Sequence, residues 1–242
     1  MFGWRARIGC IHPRKGQLHT SMMEMEKVIP EGVYLNDVFL DGPKSQTLED
    51  LLAMFPQLEP AAREVAQIEV DLIIQVGAPI CLAQGPGGDT KIIDLIEQAT
   101  GVPATTCVTS MVKGLQRMDV HKVVVVCPYY AEAAASMLRT VLEHAGLEIV
   151  SLVRGDVAWS NIADIPQPQV YRMAKTAFLK VEHADGLLIA GGGAPVYEIV
   201  ETLEMDIGKP VVAHNFAAAW HALSMAHVRQ PIKGYGRLLT LF

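Results

Sequence analysis

A motif that occurs twice in the chain constrains its fold more than any other feature of the sequence. The first copy runs from Asp71 through an apolar segment to Gly77–Pro79. The second runs from Asp185 through an apolar segment to Gly193–Pro195, and both copies end in Gly-Ala-Pro. In each half a helical pattern follows, and then Gly-Val-Pro or Gly-Lys-Pro and another short apolar segment. The repeated order of elements predicts two related lobes.

Short apolar segments rich in β-branched residues alternate with longer amphipathic segments along the chain, which is typical of parallel sheets flanked by helices. The sequence therefore predicts an α/β fold of two pseudo-symmetric lobes, each a mainly parallel sheet flanked by helices, with a site between the lobes. Strands are predicted at Arg7–His12, Leu72–Val76, Ala104–Thr106, Lys122–Cys127, Glu148–Val153, Gly186–Ala190 and Pro210–Val212. Helices are predicted at Thr47–Ile68, Asp89–Thr100, Ser110–Arg117, Glu132–Ala145, Pro168–Glu182, Pro195–Glu204 and Ala217–Ala226.

The two copies of the motif also set the expected domain boundaries. Residues 1–110 are expected to form the first lobe and residues 111–221 the second, with the tail over 222–242 returning to the first lobe. In open α/β sheets, ligands bind beyond the carboxyl ends of the strands. The loops at Gly77 and Gly191 are therefore expected to face a common site.

Composition argues against several classes of partner. The formal charge of −6 and the pI near 5.7 disfavour nucleic acid, whose phosphates need a basic surface. No apolar run reaches the roughly 18–20 residues that cross a bilayer, and Met1–Lys15 does not have the pattern of a signal peptide. Four widely spaced cysteines predict reduced thiols and a cytoplasmic protein. The sequence does not decide whether the protein assembles into a homo-oligomer.

Two features at predicted strand ends are suited to binding an anion. Gly191–Gly193 can direct backbone N–H groups at an anion beside a helix N-terminus, although a tight turn with positive φ would use the same residues. Tyr129 follows the strand that ends at Cys127. Its hydroxyl could donate to a carboxylate or to a developing enediolate, with packing in the core as the alternative.

Two histidines and a cysteine are the candidates for proton transfer. His12 and His214 stand at predicted carboxyl ends of strands and could act as general acid or base, with a structural hydrogen bond as the alternative for each. Cys81 follows Gly77 closely, where a helix N-terminus would lower the pKa of a thiol, although most single cysteines are buried apolar residues. No ligand-spacing motif is present, so no metal site is predicted.

Segments spread over the last two thirds of the chain carry a family resemblance: Ala99–Pro103, Asp185–Gly193, Gly208–Val212, Trp220 and Gly234–Leu238. From Asp71 onwards the chain resembles the arylmalonate decarboxylases, and more loosely the maleate cis-trans isomerases, within the aspartate/glutamate racemase superfamily. Arg7–Pro13 is similar to that superfamily's first strand and loop, and Arg14–Leu18 departs from it.

The resemblance implies proton transfer next to a carboxylate without a cofactor. It places the two cysteines of the racemases and isomerases at Gly77 and Gly191, so that both thiols are replaced here. The two hydroxyl residues of the decarboxylase fall on Ala78 and Pro79, and Pro79 lacks even a backbone N–H. The tyrosine that helps bind the substrate carboxylate matches Tyr129.

Two weaker parallels complete the set of candidate residues. Thr20 and Ser21 are similar to a carboxylate-binding Asn-Thr-Thr segment of the isomerases. His214 and Asn215 align with small polar residues that the family places near its pocket.

These observations favour an enzyme that acts on a small carboxylic or dicarboxylic acid. The hypothesis is a cofactor-independent lyase or isomerase with an enolate-like intermediate, in which a histidine replaces the missing thiol as proton carrier. One alternative is a hydrolase on the same scaffold, in which His12 or His214 activates water. The other is a non-catalytic carboxylate-binding protein, because a family member that had lost its activity would also be expected to lack both thiols.

Overall fold

The structure is a computed structural model and describes residues 3–13, 20–43, 45–157 and 159–242. Two four-stranded parallel sheets form its centre, and helices cover them. The segment Arg14–Leu18, where the sequence departs from the family pattern, lies outside the described residues.

The first sheet and its helices occupy roughly the first half of the chain. Its strands are β1 (Ala6–His12), β2 (Val33–Phe39), β3 (Leu72–Gln75) and β4 (Ala104–Thr106). The helices are α1 (Thr20–Val28), α2 (Leu48–Leu52), α3 (Leu58–Ala66), α4 (Ala78–Leu82), α5 (Gly88–Thr100) and α6 (Cys107–Arg117).

The second half of the chain repeats this layout. Its strands are β5 (Lys122–Cys127), β6 (Glu148–Arg154), β7 (Gly186–Ile189) and β8 (Val211–Ala213). The helices are α7 (Glu132–His144), α8 (Gln167–Leu179), α9 (Val200–Ile207) and α10 (His214–Met225). Short 3-10 turns lie at Phe55–Gln57, Trp159–Asp164 and Leu238–Thr240.

The two sheets have the same topology. The strand order is β2-β1-β3-β4 in the first sheet and β6-β5-β7-β8 in the second. If β5 is matched to β1, the two orders are identical, and every pairing is parallel. The predicted α/β fold of two pseudo-symmetric lobes is therefore confirmed.

The aspartates of the repeated motif explain part of this symmetry. Asp71 accepts the backbone N–H of Arg7 through Oδ2 at 2.8 Å and donates its own N–H to the Arg7 carbonyl. Asp185 makes the same pair of bonds with Lys122, also with 2.8 Å to Oδ2. Each aspartate thus fixes the start of a central strand against its neighbour, which is why the motif occurs once in each lobe.

A glutamate and a glycine mark a second equivalent point in the two lobes. Gly101 and Gly208 end α5 and α9 with φ values of 71° and 67°, a conformation that favours glycine. Glu97 then accepts the N–H of Ala104 at 2.9 Å, and Glu204 accepts the N–H of Val211 at 2.9 Å. The carboxylates hold the incoming strands β4 and β8 in place.

Several helix boundaries differ from the sequence-based expectation. The single helix expected over Thr47–Ile68 is divided into α2, a 3-10 turn and α3, because Pro56 lacks an N–H and cannot continue a helix. The helix expected over Pro195–Glu204 begins only at Val200. The elements α1, β2 and α4 were not predicted.

The C-terminal tail contacts both halves of the molecule. Arg5 donates to the side chain of Gln230, and the Trp220 indole donates to the carbonyl of Leu241 at 2.9 Å. The backbone N–H of Arg237 is bound by Glu204. The division into residues 1–110 and 111–221 stays a prediction. Within the described ranges, no helix is long and apolar enough to cross a membrane.

Candidate functional site

The glycine loop after β7 is closed on one side by Tyr129. Gly191 has a φ of 113°, and a Cβ atom placed on it would lie 2.9 Å from two ring carbons of Tyr129. The N–H of Gly193 donates to the Tyr129 hydroxyl at 2.8 Å. The tyrosine ring therefore fills the space beside the position to which the resemblance assigns the second family cysteine.

His214 approaches the same loop from the start of α10. The N–H of Gly191 donates to His214 Nδ1 at 3.4 Å, so a neutral ring in this arrangement has its proton on Nε2. Burial lowers the pKa of His214 to about 4, which keeps the ring neutral near pH 7. Among the described residues, Nε2 has no hydrogen-bond partner. A buried N–H donor without a protein partner is suited to a ligand oxygen.

Asn215 connects the glycine loop to a buried carboxylate. Its Nδ2 donates to the carbonyl of Gly192 at 3.0 Å and to Oε2 of Glu24 at 2.7 Å. Glu24 Oε1 also accepts the backbone N–H groups of Val196 and Tyr197. Through Glu24, helix α1 thus contacts the backbone of Val196 and Tyr197 directly and that of Gly192 by way of Asn215.

Burial determines the protonation of Glu24, which is 1% exposed. Burial raises the pKa of Glu24 to about 7, although the hydrogen bonds from Val196, Asn215 and Tyr197 and the charge of Lys27 oppose the shift. Glu24 was not selected from the sequence, since the helix that carries it was not predicted.

The first glycine loop has a similar backbone and a different neighbour. Gly77 has a φ of 105°, and a Cβ atom placed on it would lie 2.6 Å from the ring of Pro13. Burial raises the pKa of the Cys107 thiol to about 12, although the backbone of Gly77 beside it opposes the shift. Cys107 is thus the counterpart of His214, because each begins a helix and lies beside an equivalent glycine.

Two other candidates lie just beyond Gly77 on the short helix α4. Ala78 is its first residue and is fully buried. Cys81 is also buried, and burial raises the pKa of its thiol well above the ordinary value, with smaller contributions from Cys107 and Asp89. Its thiol is therefore protonated near pH 7, which does not favour an activated thiolate.

His12 and the residues that it contacts form a third group of candidate residues, beneath α1. Its Nε2 lies 2.6 Å from Asp37 Oδ1 and its Nδ1 lies 3.3 Å from the hydroxyl of Ser21. Its ring stacks on Phe39 with 5.2 Å between centroids. Thr20 precedes Ser21 as the first residue of α1. Asp37 was not selected from the sequence, because β2 was not recognised.

The predicted residues therefore fall into three groups. Tyr129, His214 and Asn215 surround Gly191–Gly193. Gly77, Ala78 and Cys81 lie with Cys107 at or just beyond the equivalent end of β3. His12 lies on β1 beneath α1, which carries Thr20 and Ser21. Helix α1 joins the last group to the first, since Ser21 and Glu24 are both on it. That Gly77 and Gly191 face one ligand stays a prediction.

Two equivalent parallel sheets, with positive-φ glycines at matching strand ends, define a two-lobed α/β protein of the aspartate/glutamate racemase type. The sequence model of the arylmalonate decarboxylase family matches residues 45–239. The chain therefore belongs to the arylmalonate decarboxylase family and is an enzyme of that branch.

Individual relatives agree with this assignment. The chain is 23% identical over 198 residues to arylmalonate decarboxylase of Bordetella bronchiseptica, covering 81% of this chain and 82% of the relative. It is 28% identical over 228 residues to maleate isomerase of Nocardia farcinica, covering 91% and 82%. A structure of the Nocardia farcinica maleate cis-trans isomerase bound to TRIS superposes with a TM-score of 0.89 at 24% identity, over 97% of this chain and 98% of the other. The similarity of the structures shows the fold.

The pKa of Glu24 predicts how stability changes with pH. Because the pKa in the folded protein is about 7 and the ordinary value is 4.5, the folded state binds this proton more tightly than the unfolded chain does. The resulting stability is fully present below about pH 4.5 and is lost as the pH rises through 7. The whole shift corresponds to at most about 3 kcal/mol.

Glu24→Gln should remove this dependence. From pH 5 to pH 8, the free energy of unfolding of the wild-type protein should fall by up to about 3 kcal/mol relative to that of the variant. Urea denaturation at the two pH values measures the difference. Glu26→Gln is the control, since Glu26 is on the same helix but exposed. Parallel pH profiles for Glu24→Gln and wild type would contradict the assignment.

Proposed function

We propose that this enzyme catalyses a cofactor-independent decarboxylation or isomerisation of a small carboxylic or dicarboxylic acid through an enolate-like intermediate. The observation that carries the proposal is the arrangement around Gly191–Gly193, where Tyr129 and His214 bind backbone N–H groups of one loop. Both side chains are buried, so their polar groups act in a low-dielectric environment, where donors stabilise developing negative charge most strongly.

The substrate carboxylate is assigned to this loop. Tyr129 accepts from Gly193 and, as a hydroxyl, also has a proton to donate. The Nε2–H of His214 is a second donor at this loop, with Nε2 3.2 Å from the Cβ position of Gly192. The carboxylate held by these donors would become an enediolate when a proton or CO₂ leaves the neighbouring carbon.

His214 is assigned as the proton carrier. In the unliganded site burial keeps its pKa near 4, but a bound carboxylate beside the ring would raise that pKa, because an opposite charge favours the protonated form. Nδ1 would take up a proton from solvent and give up its 3.4 Å contact with the Gly191 N–H, and the imidazolium would then deliver its Nε2 proton to the carbanion-like carbon and return to the neutral state. His12 is less suited to this role, since Asp37 and Ser21 contact its two ring nitrogens.

The relatives support the class of substrate. Their names describe decarboxylation of arylmalonates and isomerisation of maleate, and both substrates carry two carboxylates. One mutant of the Nocardia farcinica isomerase holds a covalently bound succinylcysteine intermediate. A covalent cysteine route is disfavoured here, because both positions assigned to family thiols are glycines whose side-chain space is filled by Pro13 and Tyr129.

Turnover of the purified protein should be tested with malonates, maleate-type diacids and small amides. Proton NMR in D₂O distinguishes the three hypotheses. Loss of CO₂ with deuterium at the neighbouring carbon indicates a decarboxylase. Interconversion of cis and trans diacids indicates an isomerase, and the C–H signals of the acid formed from an amide indicate a hydrolase. Binding of diacids without turnover of any of them would favour the non-catalytic alternative and contradict the proposal.

The Tyr129→Phe variant tests the carboxylate site. Loss of one hydrogen bond should weaken binding of a small dicarboxylate by about 0.5–3 kcal/mol, toward the upper end if the acceptor is charged. Isothermal titration calorimetry measures the dissociation constant. Tyr130→Phe is the control, since that neighbouring hydroxyl is buried and has no hydrogen-bond partner among the described residues. Equal dissociation constants for Tyr129→Phe and wild type would place the carboxylate elsewhere.

A further inference from the structure

A cluster of three potential metal ligands lies in the first lobe. Cys10 and His12 are two residues apart on β1 and therefore point to the same face of the sheet. Asp37 is the register partner of Cys10 on β2, which places its side chain beside the other two. These three residues could not be grouped from their sequence positions, because β2 was not predicted.

The geometry of the cluster is compact. The Cys10 thiol, a ring nitrogen of His12 and a carboxylate oxygen of Asp37 all lie within 4.8 Å of one another. His12 Nε2 faces Asp37 at 2.6 Å, while Nδ1 faces Ser21 at 3.3 Å. Ser21 thus holds the imidazole by the nitrogen that points away from the cluster, which is how outer hydrogen-bond partners orient metal-binding histidines.

We propose that Cys10, His12 and Asp37 form a site for a divalent transition-metal ion of the zinc type. Sulfur, imidazole nitrogen and carboxylate oxygen are the ligands that zinc takes in proteins, at about 2.0–2.3 Å. Tetrahedral bonds of those lengths separate the ligand atoms by about 3.3–3.7 Å. To admit the ion, His12 Nε2 and Asp37 Oδ1, now 2.6 Å apart, have to separate by roughly 1 Å, and the Cys10 sulfur, now within 4.8 Å of both, has to lie no more than about 3.7 Å from them.

Charge and access agree with a cation at this position. A thiolate and a carboxylate together balance the charge of a divalent ion, and the Cys10 proton leaves to solvent when the ion binds. Cys10 and His12 are fully buried, whereas the side chain of Asp37 keeps 14% of its exposure and provides the route of entry. Three protein ligands leave a fourth position for water or a small ligand.

The site is independent of the proposed function. The carboxylate site uses Tyr129, His214 and the loop Gly191–Gly193, none of which belongs to the metal cluster. Metal binding can therefore be established or refuted without any measurement of activity.

Cobalt titration of the full-length protein tests the inference. Co²⁺ is the probe because a thiolate–cobalt bond gives a near-ultraviolet charge-transfer band and a tetrahedral site gives intense visible bands. After removal of metal with a chelator, one equivalent of Co²⁺ should produce both sets of bands, and Zn²⁺ should abolish them. Absence of a stoichiometric cobalt spectrum in the wild-type protein would overturn the proposal and leave His12 and Asp37 as a structural hydrogen-bonded pair.

Variants assign the ligands. Cys10→Ser should lose the charge-transfer band, and His12→Asn and Asp37→Asn should each weaken Co²⁺ binding by at least about tenfold. The control is Cys127→Ser, which removes a buried thiol from β5, the equivalent strand of the second lobe. Circular dichroism confirms folding of each variant. An unchanged charge-transfer band in folded Cys10→Ser, or its loss in Cys127→Ser, would contradict the assignment.

Discussion

Replacing His214 with asparagine is expected to lower the turnover rate by about 100-fold or more, the usual contribution of a positioned general acid or base. The asparagine carbonyl can still accept the N–H of Gly191, as Nδ1 does now, but the variant has no group in place of Nε2. The second variant, His214→Gln, has a longer side chain, which likewise cannot take up or release a proton. Both variants should therefore reduce kcat more than they raise KM, measured on the substrate that the NMR screen identifies.

His221→Asn is the matched control for this prediction. His221 is on the same helix, and burial also lowers its pKa to about 4. Its Nδ1 contacts the hydroxyls of Thr105 and Ser110 and not the glycine loop. The control variant should therefore lose a similar amount of stability while its turnover changes by only a few fold.

Experiments on the cysteines can contradict the proposed role of His214. Alkylation of the thiols should leave most activity, apart from a steric effect at Cys81, because that thiol is buried and protonated. Full activity in His214→Asn together with complete loss in Cys81→Ser would replace the histidine mechanism with a cysteine one. Loss confined to His12→Asn would transfer the role to His12.

Much of the fold could be predicted from the sequence because the repeated motif has a local physical cause. Asp71 and Asp185 each bind the backbone of the neighbouring central strand, and Gly101 and Gly208 each end a helix in a conformation that favours glycine. Such residues are constrained by their immediate backbone, so their chemistry is visible in the sequence. The strand order follows from two such units placed in succession.

The parts that could not be predicted depend on contacts between distant segments. Strand β2 contains Asn36 and Asp37, residues that are uncommon in strands, and it is stabilised by its pairing with β1. Glu24 and Asn215 meet although 191 positions separate them. Burial at that contact also produces the raised pKa of Glu24, so neither its protonation nor its role follows from sequence spacing.

Gly191→Ala is expected to destabilise the protein by about 2–6 kcal/mol. A side chain at a φ of 113° is strained, which costs about 1–3 kcal/mol, and its Cβ would lie 2.9 Å from the Tyr129 ring, where overpacking costs a further 1–3 kcal/mol. A cysteine at this position would meet the same ring. Restoring the thiol that the resemblance places there should therefore destabilise the glycine loop and leave the catalytic role with His214.

Gly208→Ala separates the two contributions to this loss. Gly208 also has a positive φ, of 67°, but nothing lies within 4 Å of its Cβ position, so that variant carries backbone strain alone. Urea denaturation should therefore show a loss for Gly191→Ala that exceeds the loss for Gly208→Ala by about 1–3 kcal/mol. Equal losses would mean that the Tyr129 ring moves aside without cost. The ring would then not be fixed over the loop, and the carboxylate site built from Tyr129 and Gly193 would lose its structural basis.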